Sequence, residues 1–325
     1  MTPDEIARSA LRHYPVDRSA PLTLLNISEN ATFAVDDPAT GRRTVLRVHR
    51  PGYHSLESIE AELAWLDALR TEAGIRTPQI LPSVYGKRVV SVPAGAAAEP
   101  RHVVLFEHLP GTEPPDDDLG QCFGTLGAIT ARMHEHALRW RRPPRFIRFS
   151  WDYDGAFGEE ARWGRWQDGM AVGSAGSAEH DLLARLDYTL RRRLALFGKS
   201  RERYGLIHAD LRLANLLVDG GETYVIDFDD CGIGWLLYDL GAALSFIEDD
   251  PRVPALVDAW VTGYRTIRPL SVRDEAEIRT FILMRRLLLV AWIGSHSDTE
   301  LAQSMGAEYT AGTCTLAEQY LSDFT

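Results

Sequence analysis

Lysine is almost absent from this 325-residue chain: only Lys87 and Lys199 occur, so nearly all positive charge is arginine. Cysteine is scarce as well. Cys122, Cys231 and Cys314 are too few and too scattered for a disulfide framework or a zinc site. Long apolar runs are missing, and the longest, residues 287–294, falls far short of the ~20 residues that cross a bilayer. The first 30 residues carry Asp4, Glu5, Asp17 and Glu29 and no long apolar stretch, so no secretory signal and a cytoplasmic location are expected. Basic residues are outnumbered, 35 Lys+Arg against 46 Asp+Glu, a net charge of −11. Such a chain has no electrostatic reason to seek nucleic acid or anionic lipid. With 45% hydrophobic and 25% charged residues, it has the balance of a soluble globular protein with a real core.

What is present changes character along the chain. The first hundred residues read as short strands, at 21–27, 31–35, 43–49, 87–92 and 102–106, around one helix at 55–70. That helix is marked by Ile59, Leu63, Leu66 and Leu69 at helical spacing. Beyond Gly111 the pattern turns helical, at 119–138, 181–197, 253–267 and 274–293, interrupted by a strand-rich insert at 206–228. The layout predicts an α+β, two-lobed fold, with a β-rich lobe at 1–108 and a mainly helical lobe at 109–325 that carries a β-hairpin.

The insert holds the chemistry. Residues 206–240 read LIHADLRLANLLVDGGETYVIDFDDCGIGWLLYDL. Two short apolar strands flank Asp219-Gly220-Gly221, a hairpin turn signal. Folded this way, the ribbon brings Asn215 and Asp227 to its open end. An amide and a carboxylate side by side make a poor zinc site but a plausible Mg²⁺ site, completed by substrate phosphates and water. Asp210 enters the hairpin five residues before Asn215, placed to face whatever the metal holds.

The run H-x-D-x-x-x-x-N, then an apolar strand, a turn and Ile226-Asp227, resembles the aminoglycoside-phosphotransferase and choline-kinase-like branch of the protein-kinase-like superfamily. The Ile226 to Asp230 segment looks closest to bacterial stress-response kinases and type II homoserine kinases. The resemblance implies a bilobal kinase-like fold and roles for matching residues. Asp210 corresponds to the catalytic base, Asn215 and Asp227 to Mg²⁺ ligands, and His208 to a loop-orienting histidine. Asp239 corresponds to an aspartate that buttresses the catalytic loop. The chain departs from the family with Ala209-Asp210 for Gly-Asp, and with Arg212-Leu213-Ala214 for His-Pro-Gly. Arg212 is a candidate to face the phosphoryl group or the acceptor.

The resemblance also implies an ATP site. No G-x-G-x-x-G occurs; Ser28, Glu29, Asn30 and Thr32, in a turn between two strands, are the expected phosphate cover. Arg47 stands where most relatives have the phosphate-binding lysine, and the 55–70 helix should supply its carboxylate partner, Glu62 or alternatively Glu60. The backbone of Glu107 and Leu109 should bond the adenine edge, with Gly111 as a hinge between the lobes.

The expected reaction is Mg²⁺-dependent transfer of the ATP γ-phosphoryl group to a hydroxyl of a small molecule: an aminoglycoside, amino alcohol or hydroxy amino acid. The aromatic and acidic stretch 146–166 offers Trp151, Asp152 and Trp163 as acceptor candidates. Arg285 and Arg286 face either the cleft or a partner helix. Two other readings compete: a stress-response protein Ser/Thr kinase, and a non-catalytic nucleotide-binding module. The first is disfavoured because Tyr238-Asp239 follows Asp227 too closely for a long activation loop, the second because Asp210, Asn215 and Asp227 are all present.

Overall fold

The structure, a computed structural model, describes residues 1–325 except 28, 29, 96, 97, 116, 117, 173, 174 and 325, and also except the side chain of residue 301. The fold is α+β. The chain divides into two compact units, one of residues 1–113, 141–148 and 216–229, the other of 114–140, 149–215 and 230–325. Against the expected single boundary at 108/109, the first crossing falls five residues later, and the segments 141–148 and 216–229 join the N-terminal unit.

The first unit begins with α1 (Pro3–Ala10), followed by β1 (Leu22–Ile27), β2 (Ala31–Asp37), β3 (Arg42–Val48), α2 (Leu56–Glu72), β4 (Ile80–Leu81), β5 (Val90–Val92) and β6 (Arg101–Glu107). The strands form an antiparallel sheet in the order β1-β2-β3-β6-β4, with β5 also on β6. α1 lies outside the expected elements, although Ile6, Ala7 and Ala10 share one buried face. Its signal is local: Thr2 and Glu5 form a reciprocal capping box, with proline in the first turn. Ile6, Leu11 and Tyr14 then pack on Phe33, Leu46 and Val103 to make this unit's core. In α2 the four periodic residues Ile59, Leu63, Leu66 and Leu69 are all buried, and Ser55 caps the helix.

The second unit carries α3 (Leu119–Arg139), α4 (Tyr153–Phe157), α5 (Trp166–Val172), α6 (Ser177–Phe197) and β7 (Tyr204–Ile207). The hairpin strands β8 (Leu216–Asp219) and β9 (Glu222–Val225) lie in the first unit. The second unit resumes with β10 (Gly232–Trp235), paired to β7, then α7 (Tyr238–Ala243), α8 (Val253–Arg265), α9 (Val272–Glu275), α10 (Ile278–Ser295) and α11 (Glu300–Phe324). α10 is the central helix here, packed by α5, α6, α7 and α11, and its apolar residues are buried on every side. No helix among the described residues is long and apolar enough to cross a membrane.

Candidate active site

In the first unit, β3 places Arg47 opposite Thr32 of β2 and Val104 of β6. Arg47 is only 7% exposed, an expensive position for a charge without partners. Its Nη2 donates to Oε1 of the fully buried Glu62 at 2.6 Å, while Glu60 is exposed. Its Nη1 lies 3.8 Å from Asp227 and 3.9 Å from Asp229, and the ring of Phe106 lies 5.2 Å from the guanidinium carbon. Burial alone lowers the Arg47 pKa; Glu62, Asp229 and Asp227 outweigh it and raise the pKa above the usual arginine value. Three carboxylates thus share one guanidinium, and the cluster keeps a surplus of negative charge.

Asp227 follows β9 with φ +59°, a left-handed conformation unusual for an aspartate, and its side chain is 50% exposed. The next residue, Phe228, is buried edge-on against Trp65, which pins the segment. Asp229 points inward: His54 Nε2 lies 3.2 Å and His49 Nδ1 3.7 Å from its carboxylate. Burial opposes ionisation of Asp229, but His54, Arg47 and His49 hold its pKa well below 3.8. Gly111, the expected hinge, lies within the first unit. With φ +101°, it lies where a Cβ would meet the Val218 carbonyl at 2.6 Å, and Thr112 bonds the same residue of β8.

Of the expected nucleotide residues, Ser28 and Glu29 lie outside the described residues. Asn30 Oδ1 accepts from the Arg50 N–H at 3.1 Å, and Thr32 lies in β2. Glu107 ends β6 with its N–H donated to Gln79 O at 2.9 Å, and Leu109 follows the strand half-buried.

In the second unit, β7 leads into His208-Ala209-Asp210. His208 is fully buried and its Nδ1 accepts from the Asp210 N–H at 3.3 Å. Ala209 has φ +69°, a conformation glycine adopts without cost and alanine does not. Asp239, at the start of α7, clamps this turn: Oδ1 accepts from Ala209 N at 2.7 Å and Oδ2 from His208 N at 3.2 Å. His134 of α3 in turn contacts Asp239 Oδ2 at 2.9 Å. Asn215 Nδ2 donates to Asp210 O at 2.7 Å and to Asp210 Oδ2 at 2.8 Å, which turns its amide oxygen the other way. Arg212 Nε sits 3.4 Å from Asp210 Oδ2 with the side chain 37% exposed. The other carboxylate oxygen of Asp210 is held by Arg285 at 2.6 Å. Arg285 thus faces the Asp210 loop, a choice the apolar surroundings in sequence leave open.

The acceptor candidates are otherwise employed. Trp151 is fully buried, donates Nε1 to Asp230 O at 2.7 Å and stacks on Tyr238. Trp163, 4% exposed, packs against Trp151. Asp152 caps α4 through Gly155 N at 3.0 Å and pairs with Lys199 at 2.6 Å. The two buried rings present no surface to a ligand, so for Trp151 and Trp163 the expectation is replaced by a structural role; Asp152, committed to Lys199 and to the α4 cap, keeps 18% side-chain exposure.

The phosphotransferase enzyme family matches residues 23–279. The chain belongs to that family. Amicoumacin kinase of Bacillus subtilis is 28% identical over 281 residues, 82% of this chain and 79% of that protein. The structure of a microcompartment-associated aminopropanol kinase is 49% identical, covers 98% of both chains and superposes with a TM-score of 0.90. Another amicoumacin kinase, in complex with AMP-PNP, Ca²⁺ and Ami, shares the fold at 24% identity, with 96% of this chain and 93% of that chain covered and a TM-score of 0.78. This phosphotransferase family member is a kinase whose acceptor is a small-molecule hydroxyl, and the protein-kinase alternative is not supported.

Proposed function

We propose that the chain transfers the γ-phosphoryl group of ATP, with Mg²⁺, to the hydroxyl of a small amino alcohol of the aminopropanol class. The observation that carries this reading is the 49% identity to an aminopropanol kinase along 98% of both chains. Asp210 aligns the acceptor hydroxyl and takes its proton. Its carboxylate is fixed through both oxygens, Oδ1 by Arg285 and Oδ2 by Asn215 and Arg212, yet its side chain keeps 17% exposure, and Oδ1 retains a lone pair for a donor. Fixing the base in advance suits a loose phosphoryl transfer, where catalysis is chiefly positioning and electrostatics.

The residues fit a hard divalent cation. Asn215 commits its amide nitrogen to Asp210 and so offers an oxygen, and the half-exposed Asp227 belongs to a cluster with excess negative charge. Asn215 and Asp227 would hold the Mg²⁺, which would supply positive charge against the nucleotide phosphates. Arg47 supplies a permanent positive charge toward the nucleotide phosphates, and Glu62 holds it in place. The left-handed turns at Ala209 and Asp227 aim the carboxylates of Asp210 and Asp227 by backbone geometry rather than by flexible rotamers.

The test is steady-state kinetics with ATP and Mg²⁺ over 1-aminopropan-2-ol, ethanolamine, choline, homoserine and spectinomycin. The aminopropanol is expected to give the highest kcat/KM. A higher value for homoserine or spectinomycin would reject the acceptor class, and acceptor-independent ADP release alone would reject the transfer.

A further inference from the structure

We infer that Arg285 is a positioning residue of the reaction, which fixes the Asp210 carboxylate and the Ala209 turn as one rigid piece. The inference rests on the reading of Asp210 as the group that receives the acceptor hydroxyl.

Arg285 lies midway along the apolar helix α10 and is 2% exposed. A guanidinium there is tolerated only where its donors are satisfied. Nε donates to Ser245 Oγ at 2.9 Å, Nη1 to Tyr238 OH at 3.1 Å and to Ala209 O at 3.2 Å, and Nη2 to Asp210 Oδ1 at 2.6 Å. The planar fork therefore grips the backbone carbonyl of one residue and the carboxylate of the next. That double grip sets the angle between the peptide and the carboxylate, which one ammonium group on a flexible stem does not do.

The same grip explains how alanine is accommodated at 209. Asp239 holds the Ala209 N–H and Arg285 holds its carbonyl, so both polar groups of the left-handed residue are tied to buried side chains. Tyr238 and Asp239, adjacent at the start of α7, thus act on the loop from two sides: Asp239 directly, Tyr238 through Arg285. Aromatic rings guide the guanidinium, with Trp163 at 5.3 Å and Tyr238 at 5.9 Å from its carbon. The approach of α10 to α7 depends on Gly241, where a Cβ would meet Phe281 O at 2.5 Å and Arg285 Cβ at 3.4 Å.

The neighbouring residue supplies the contrast. Arg286 is equally buried, but it bonds Glu248 at 2.7 Å and Thr313 at 2.9 Å, which ties α10 to α11 and leaves the catalytic loop untouched. One arginine serves the loop and the other the fold.

The experiment compares Arg285→Lys with Arg286→Lys in the full chain, reading kcat, nucleotide KM and melting temperature. For Arg285→Lys we expect kcat to fall about 100-fold with nucleotide KM within about twofold, because a small displacement of the base costs that much. For Arg286→Lys we expect a lower melting temperature with kcat within about threefold. An Arg285→Lys enzyme within about threefold of the parent kcat overturns the inference. So does a loss of kcat that tracks melting temperature equally in both variants. Should Arg285→Lys not fold, Ser245→Ala decides: it removes the acceptor of Nε and should lower kcat about fivefold or more at constant nucleotide KM. An unchanged kcat overturns the inference. Failure of the underlying reading shows separately, as an Asp210→Asn enzyme that keeps its activity.

Discussion

A guanidinium out of water needs a counter-charge, and Arg47 has Glu62 bonded at 2.6 Å with Asp227 and Asp229 just beyond. Arg47→Met should therefore cost about 3 kcal/mol or more, because Glu62 is left buried and unpaired. Urea unfolding checks this, and a change under about 1 kcal/mol contradicts it. The adjacent His49 gives a second residue-scale prediction. Burial, reinforced by Arg47, holds its pKa well below 6.5. The unfolded chain takes up this proton near pH 6.5 and the folded chain only at lower pH. The contribution is thus full above about 6.5 and declines as pH falls, by up to about 1.4 kcal/mol per pH unit. Asp229, held well below 3.8, stays ionised in that window and does not mimic the effect. Melting temperature should drop from about pH 8 to about pH 5, and His49→Leu should flatten the decline; an identical slope contradicts the assignment. Asp210, Asn215, Asp227 and Asp239 were legible because their spacing lies within one short segment. Arg285 was not, since no local pattern tells which of two adjacent arginines on a helix buried on all sides faces a loop 75 residues away.

Helices and hairpins show the same division. The β8–β9 turn was readable because Gly220 and Gly221 have φ of +55° and +83°, the two positive values a tight hairpin requires. α2 was readable because it buries one face, whereas the surroundings of α10 were not, because it buries all of them. α3 and α8 pack so closely that a Cβ at Gly127 would meet Trp260 O at 2.1 Å. Gly127→Ala should thus destabilise the fold by about 2 kcal/mol, against the slight gain expected for alanine in a free helix. Unfolding by denaturant tests this, and unchanged or increased stability contradicts it.

On the scale of the molecule, each unit carries its own part of the proposed chemistry. The sheet unit supplies Arg47, Glu62 and Asp227; the helical unit supplies Asp210, Asn215, His208 and Asp239. The alternation of the chain between the units, with 141–148 and 216–229 returning to the first, was not readable, because sequence reveals elements more readily than their partners. Chelation with EDTA should abolish turnover, Mg²⁺ should restore it, and a non-hydrolysable ATP analogue should raise the melting temperature more with the metal than without. Metal-independent turnover contradicts the role given to Asn215 and Asp227. The most direct test is the rate at which the parent protein and Asp210→Asn convert aminopropanol to its O-phosphate, followed by ³¹P NMR at saturating ATP and Mg²⁺. The account predicts a fall of about 10³-fold with nucleotide affinity retained. Equal rates, or no phosphorylated alcohol from the parent protein, would contradict it.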